Sequence, residues 1–373
     1  MNQSKQIQLL EQLLGLKADS SFFLDDEPTQ SPVDDYLSQE RFDREQTRIL
    51  QKLPRIVAHS SELAIPNSFL QRTVSGLPLL LMRGDDDQLR IFLNVCRHRG
   101  TRLVNDETGC KRRFSCPYHA WTWNNRGEFV GAPHFDAGFP GLDRKDLGLK
   151  SLPCVERHGF IWVVPEDADL SLFLDEMDHD LSWVGTEQLT VHRSETQLRH
   201  CNWKMLPEGG LEAYHFRVAH RKTIAKLFND NLSSYETFGA HIRSVLPRAS
   251  MVELTAQDPA TWNIREHTNV LYTLFPTNML LVQMDHVVWI QVEPLTPELS
   301  EVRLTTLKPL ESGEPEHYWD KNHALTVTTL NEDFDLAESI QTGLASGANR
   351  HLNFGRFEGA LARFNDTVRS YIC

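Results

Sequence analysis

The stretch Cys96–Trp123, "CRHRGTRLVNDETGCKRRFSCPYHAWTW", sets two cysteines and two histidines in a frame of C-x-H, seventeen residues, then C-x-x-H. A third cysteine, Cys110, falls between the pairs and fits no part of that frame. The flanking sequence reads as short strands. "SGLPLLLMRGDDDQLRIFLN" is two apolar runs joined by an acidic turn at residues 85–88, and Asn125-Arg126-Gly127 marks another turn. "HGFIWVVP" at 158–165 reads as a buried strand ended by Pro165. Residues 46–165 are therefore expected to form a small antiparallel β-domain.

Outside this block the pattern changes. "MNQSKQIQLLEQLLGLK" has leucines at helical spacing, and residues 20–40 are rich in Asp, Ser and Pro, so 1–45 reads as a helix followed by an extended arm. Residues 166–373 mix helical stretches such as "SLFLDEMDHDLSWVG" with long strands such as "HTNVLYTLFPTNMLLVQMDHVVWIQVEPL". That mixture predicts an α+β domain, an antiparallel sheet flanked by helices. The 38 basic against 51 acidic residues give a net charge of −13, which disfavours nucleic acid or an anionic membrane as the main partner. No run of eighteen apolar residues suggests a membrane span, and the first residues lack an apolar leader, so a cytoplasmic location is expected. Six cysteines in 373 residues are too few for a disulfide scaffold and leave thiols for metals.

Two metal readings compete for Cys96, His98, Cys116 and His119. Structural zinc accepts Cys2His2, but its ligands usually pair like with like, as C-x-x-C or H-x3-5-H. Here each pair is one Cys with one His, which suits a Rieske [2Fe–2S] cluster with two thiolates on one iron and two imidazoles on the other. Pro117, Tyr118, Trp121 and Trp123 would shield such a cluster, and Cys110 reads as an ordinary thiol.

A second constellation lies in "NWKMLPEGGLEAYHFRVAHRKTI" (202–224), with Glu208, Glu212, His215 and His220. Two histidines and a distant carboxylate are what a non-haem Fe(II) oxygenase needs, because three ligands on one face leave positions open. Glu212 and His215 stand three apart and share a helical face. His215 and His220 stand five apart, roughly 140° round a straight helix, so the helix must end or bulge between them to aim both at one metal.

With these residues in view, the chain from about residue 45 onward resembles the catalytic α subunit of the Rieske non-haem iron oxygenases. The resemblance rests on "CRHRG", "CPYHAWTW", "NWKMLPEGGLEAYH" with His220, and "NEDFDLAESIQTGL". It implies a [2Fe–2S] cluster on Cys96, His98, Cys116 and His119, and a mononuclear Fe(II) on His215, His220 and a downstream acid. Asp333 fits the family's spacing to Glu338 and Gln341, with Glu332 and Asp335 as rivals. Gly209 and Glu212 depart from the family's common Asn and Asp.

The resemblance further implies a homotrimer in which Glu212 bridges His215 and an imidazole of a neighbour's His98 or His119. A carboxylate between two metal-bound imidazoles fixes both tautomers and offers a bonded path for an electron. No G-x-G-x-x-G fingerprint is present, so electrons from NAD(P)H are expected through a separate reductase or ferredoxin. Arg97, Arg99, Arg102, Lys111, Arg112 and Arg113 form a basic island that is either a docking face for an acidic donor or a set of internal ion pairs. The implied activity is a terminal monooxygenase or dioxygenase using O2 on a small organic substrate, with aromatic rings favoured by family frequency. Attack on an aliphatic or quaternary amine is the alternative, and a Rieske electron carrier without oxygenase activity is a remote one. A cation pocket would use aromatic faces, for which Phe216, Tyr235, Phe238, Tyr272 and Phe275 are candidates, although such residues also serve simply as core.

Overall fold

A computed structural model describes residues 1–372, so Cys373, the end of the expected catalytic domain, lies outside the described residues. The chain divides into two compact units, Lys52–Leu170 and a second made of Met1–Gln51 with Ser171–Cys373.

The smaller unit is all-β and antiparallel. Five strands pair in the order Ser151–Leu152, Leu89–Leu93, Leu77–Arg83, Ser68–Val74, Thr108–Cys110. Two three-stranded sheets complete it: Cys154–Arg157, Phe160–Val163 and Arg55–His59, then Arg113–Ser115, Thr122–Asn124 and Phe129–Gly131. Strand alternation splits the core in two. Leu80 and Met82 pack with Phe69, Phe114 and Trp123 around Cys96 and Cys116, while Leu79 and Leu81 pack with Val57 and Ile161 on the other face.

The larger unit is built on seven antiparallel strands: β1 (Leu189–Arg199), β2 (Ser234–Phe238), β3 (His241–Pro247), β4 (Thr268–Leu274), β5 (Asn278–Val282), β6 (Val287–Thr296) and β7 (Leu299–Pro309). Their order is β1-β7-β6-β5-β4-β3-β2, a meander whose last strand takes β1 onto its free edge. Three longer helices accompany the sheet: α1 (Gln3–Ala18), α2 (Glu316–Ala345) and α3 (Gly359–Ile372). In α1, Asn2 caps the first turn by accepting from the Lys5 N–H at 2.9 Å, and Leu9, Leu10 and Leu13 are buried. The expected arm is partly extended, since Thr29–Pro32 pairs with His351–Phe354, and it turns helical at Asp34. Helix α2 buries Trp319, His323, Thr326, Phe334, Ala337, Gln341 and Leu344, the three- and four-residue spacing of one face. No helix among the described residues is long and apolar enough to cross a membrane.

Where Trp203 packs edge-on against Phe364 of α3, the core is partly ionic. Lys204 Nζ meets both oxygens of Glu45 at 2.8 and 3.1 Å, and Trp203 Nε1 donates to the same carboxylate at 2.8 Å. Both charged side chains are fully buried. Removing either partner would strand the other charge out of water.

Candidate metal centres

In the smaller unit the two ligand loops have the same build. The Cys96 carbonyl accepts from Gly100 N–H and the Cys116 carbonyl from Ala120 N–H, each at 2.9 Å. Gly100 and Ala120 both take positive φ (79° and 57°), which turns each loop back so that its histidine faces the other. His98 Nδ1 and His119 Nδ1 stand 3.2 Å apart, and neither cysteine is in a disulfide. Burial raises the Cys96 thiol, and the neighbouring Cys116 sulfur adds to the rise. Two adjacent buried sulfurs and two converging Nδ1 atoms fit a mixed Cys/His [2Fe–2S] cluster, since the charge of bound iron would compensate the thiolates that this environment otherwise penalises. Trp121 stacks on His98 at 4.8 Å, and Trp123 is fully buried beneath. Tyr118 lies against His119 but is exposed. Cys110 is exposed on a strand, away from the frame.

The basic island is exposed throughout. Lys111 pairs with Asp106 at 2.7 Å and Arg99 donates to Tyr118 Oη at 3.0 Å. Arg97, Arg102, Arg112 and Arg113 have no acid within 4 Å among the described residues.

In the larger unit His215, His220 and Asp333 come together. Nε2 of His215 and Nε2 of His220 are 3.1 Å apart, and Asp333 Oδ1 lies 3.3 and 3.0 Å from them. The local fold explains the aim. A single helical turn, Phe216–Ala219, separates the histidines, and the chain leaves helical geometry at His220. The expectation for Glu212 needs correction: it lies before that turn rather than on a shared helical face. Its carboxylate accepts from the backbone N–H of Tyr214 and, at 3.2 Å, of His215, and from His215 Nδ1. It thus closes the turn that leads into Phe216–Ala219 and also holds the imidazole.

Adjacent acids on α2 separate by role. Asp333 faces both Nε2 atoms. Glu332 Oε2 accepts from His220 Nδ1 at 2.8 Å and from Thr223 Oγ1 at 2.6 Å, behind the triad. Asp335 is exposed and pairs with Arg199 at 2.9 Å. Glu208 points elsewhere, accepting from Tyr36 Oη at 2.7 Å and Asn365 Nδ2 at 2.8 Å, and burial pushes its carboxyl up to about 7.

The electrostatics ask for a cation. Burial alone would lower His215, but hydrogen bonds to Asp333 and Glu212 outweigh it and lift the imidazole to about 10. Burial alone would raise Asp333, yet His215 and His220 hold it below the usual carboxylate range. A divalent metal takes the place of the bound proton in such a set, and two imidazoles with one carboxylate fit Fe(II).

Two cavities meet at this point. One of about 80 Å³ lies against the sheet, lined by His220, Asp333, Phe216, Leu271 and Asn269 among others. The second, about 510 Å³, opens on Glu212, His215 and Asp333 from the α2–α3 side. Gly209 borders both; a Cβ there would sit 3.6 Å from that of Asp333. Of the five aromatic candidates for a cage, only Phe216 lines the sheet-side cavity. Tyr235 donates to Asp25, Phe238 lies under Arg243, Tyr272 donates to Asp180, and Phe275 stacks on Tyr371. Phe228 and Phe334 line the cavity instead.

A thiolate–imidazole cluster box followed by a two-histidine, one-carboxylate centre defines a two-centre redox metalloprotein. Residues 182–373 match the ring hydroxylating alpha subunit (catalytic domain) family and residues 54–153 the Rieske [2Fe-2S] domain. The chain belongs to the ring hydroxylating alpha subunit family, whose centres are one Rieske cluster and one mononuclear iron. It is 34% identical over 191 residues to the carnitine monooxygenase oxygenase subunit of Acinetobacter pittii, covering 50% of this chain and 51% of that protein. It is also 34% identical over 197 residues to the 2-aminobenzenesulfonate 2,3-dioxygenase subunit alpha of an Alcaligenes species, covering 50% of each. The chain thus spans about half the length of the curated relatives it matches. Among solved structures, the quaternary ammonium Rieske monooxygenase CntA is similar with TM-score 0.82 and 25% identity, over 94% of this chain and 98% of that one.

Proposed function

We propose that this chain is the terminal oxygenase of a multicomponent Rieske system that hydroxylates a carbon bound to nitrogen in a small alkylamine or quaternary ammonium substrate. The convergence of His215 Nε2, His220 Nε2 and Asp333 Oδ1 at the end of an apolar cavity carries the reading. His215, His220 and Asp333 would hold the mononuclear iron, and Cys96, His98, Cys116 and His119 the cluster. When bound, these groups supply electron delivery and O2 activation. The chain's own work is positioning. Glu212 holds a proton on His215 Nδ1 and Glu332 one on His220 Nδ1, so each Nε2 lone pair faces the metal position. The apolar lining excludes water and presents a substrate carbon beside the triad. One oxygen atom enters the C–H bond, the other leaves as water with two electrons and two protons, and the carbinolamine releases amine and aldehyde.

The amine reading displaces the aromatic-ring reading expected from family frequency. It draws support from the similarity to carnitine and glycine betaine monooxygenase oxygenase subunits, to an N,N-dimethyl phenylurea N-demethylase and to CntA. The aminobenzenesulfonate dioxygenase relative supports a second reading, dioxygenation of an aromatic amine. Aldehyde release against cis-diol formation separates the two. Glu212 opens onto the larger cavity, where a second copy's cluster domain would dock in a trimer, and the unpaired arginines near the cluster suit an acidic reductase or ferredoxin.

Three irons per chain, with substrate-dependent NADH consumption over an amine panel, are the expected outcome. Asp333→Ala should lose one iron and all product while the visible cluster spectrum remains. Two irons in the wild type would make the chain an electron carrier, and loss of iron in Asp335→Ala alone would move the third ligand.

A further inference from the structure

The sheet-side cavity is lined mainly by apolar side chains; its polar members are His220, Asp333, Asn269 and Thr329, whose hydroxyl donates to the Leu325 carbonyl at 3.0 Å. His220 and Asp333 belong to the triad, and Asn269 stands on strand β4, paired with Leu246 of β3. The Asn269 amide is oriented by a half-buried neighbour: Arg248 Nη2 donates to its Oδ1 at 2.8 Å. That leaves the Nδ2 donor, which has no protein acceptor among the described residues, for the cavity that Asn269 lines.

Charge accumulates behind this amide. Arg265, in the one-turn helix Ile264–His267 that leads into β4, donates through Nε to the carbonyl of Gln283 at 2.9 Å. Neither Arg248 nor Arg265 has a carboxylate within 4 Å among the described residues. The acid that acts on both is Asp285. Its oxygens are already taken, Oδ1 by His286 Nδ1 at 2.7 Å and Oδ2 by Tyr318 Oη at 2.5 Å. Two half-buried guanidiniums therefore share one engaged carboxylate, and one of them, Arg248, is bonded to the amide that lines the cavity. Burial lowers the pKa of both arginines, as expected of cations short of a counter-ion. Buried charges are normally paired.

We infer that the part of the cavity at Asn269 is an oxyanion subsite, in which Asn269 Nδ2, backed by Arg248 and Arg265, receives a carboxylate or sulfonate of the substrate. The inference rests on reading this cavity as the substrate site. It narrows the substrate from any alkylamine to one with an anionic group at the end opposite the oxidised carbon. The subsite sets register: with the anion held at Asn269, only a carbon a fixed number of bonds away reaches the triad.

Equilibrium binding to the iron- and cluster-loaded protein tests this by calorimetry, with γ-butyrobetaine and its methyl ester as one pair and benzoate and methyl benzoate as another. The wild type should prefer γ-butyrobetaine to its ester by about tenfold or more, the scale of one charge-assisted hydrogen bond. Arg248→Gln and Asn269→Leu should each erase most of that preference, and Arg248→Lys should restore it, with iron content and cluster absorption unchanged. Equal affinity for acid and ester in the wild type, or a preference that survives Arg248→Gln, would overturn the subsite and leave the amine reading standing. A preference for benzoate that depends on Arg248, with neither amine bound, would retain the subsite and refute the amine reading.

Discussion

Glu332 is the residue whose removal most directly tests how the iron position is built. It touches no Nε2 atom of the triad, yet one of its oxygens accepts from both His220 Nδ1 and Thr223 Oγ1. His220 is almost fully buried, so no water replaces a lost acceptor. Glu332→Ala should therefore leave a buried N–H unsatisfied in the tautomer that metal binding needs, a cost of about 1–3 kcal/mol. Outer partners of metal-bound histidines usually contribute 10- to 100-fold in affinity, about 1.4–2.8 kcal/mol, and the two scales agree. Anaerobic competition with Fe(II) chelators of graded strength reads the mononuclear iron, and the cluster's visible absorption serves as an internal reference. Glu332→Gln, which keeps an oxygen acceptor, should lose less, and Thr223→Val least. Unchanged iron affinity in Glu332→Ala would refute the reasoning. A loss as complete as that of Asp333→Ala would make Glu332 a ligand.

Three other outcomes follow from the same geometry. Glu212→Gln should retain both metals and normal cluster reduction by the donor while product formation fails, because an amide cannot accept two N–H bonds as a carboxylate does; stopped-flow spectra would show a cluster that stays reduced, and near-normal turnover would remove the bridge. His241 donates from Nε2 to the Phe173 carbonyl and accepts the Phe275 N–H at Nδ1, and burial lowers its pKa to about 4. The folded state thus holds it neutral while the unfolded chain protonates near 6.5, so stability present above that pH is lost on acidification toward 4, by up to about 3 kcal/mol; His241→Gln should flatten urea midpoints across that window. Lys204→Met strands the fully buried Glu45 carboxylate and should cost about 3–5 kcal/mol by denaturant titration, most of it recovered when Glu45 is also replaced by Gln.

The cluster box was legible because its four donors lie within one short stretch, where spacing alone limits geometry. The histidines at 215 and 220 were legible as a pair only beside that box; their five-residue spacing demanded that a helix end or bulge between them, and a single turn closing at His220 lies there. Glu332 was not legible as an orienting group. Neighbours on a helix differ by about 100°, so the facing of α2 decides which acid meets the triad. The proposed aromatic cage failed for the matching reason in a strand. Asn269 and Leu271 line the cavity, so Tyr272 faces the opposite side and meets Asp180. Glu212 was placed by helical spacing on a segment that proves to be a turn, where its bonds to Tyr214 and His215 produce the same contact. Arg248 and Arg265 carried no signal, because nothing local tells a paired arginine from an unpaired one.

The three proposed donors of the iron position come from two places in the chain, a loop at 215–220 and helix α2 at Asp333. Between β1 and β2 that loop is turns and one-turn helices, held by short-range backbone bonds such as Ala219 N–H to the His215 carbonyl and Thr223 N–H to that of His220. A cation bound there ties it to α2 across roughly a hundred residues, a cross-link of the kind whose worth grows with the length of chain it closes. A metal held by the proposed ligands would be a staple as well as a reagent. Its departure would loosen the segment that carries two of the three, so that recapture would begin by reordering the loop. Iron content would then report on the order of residues 209–233 as directly as on its chemistry.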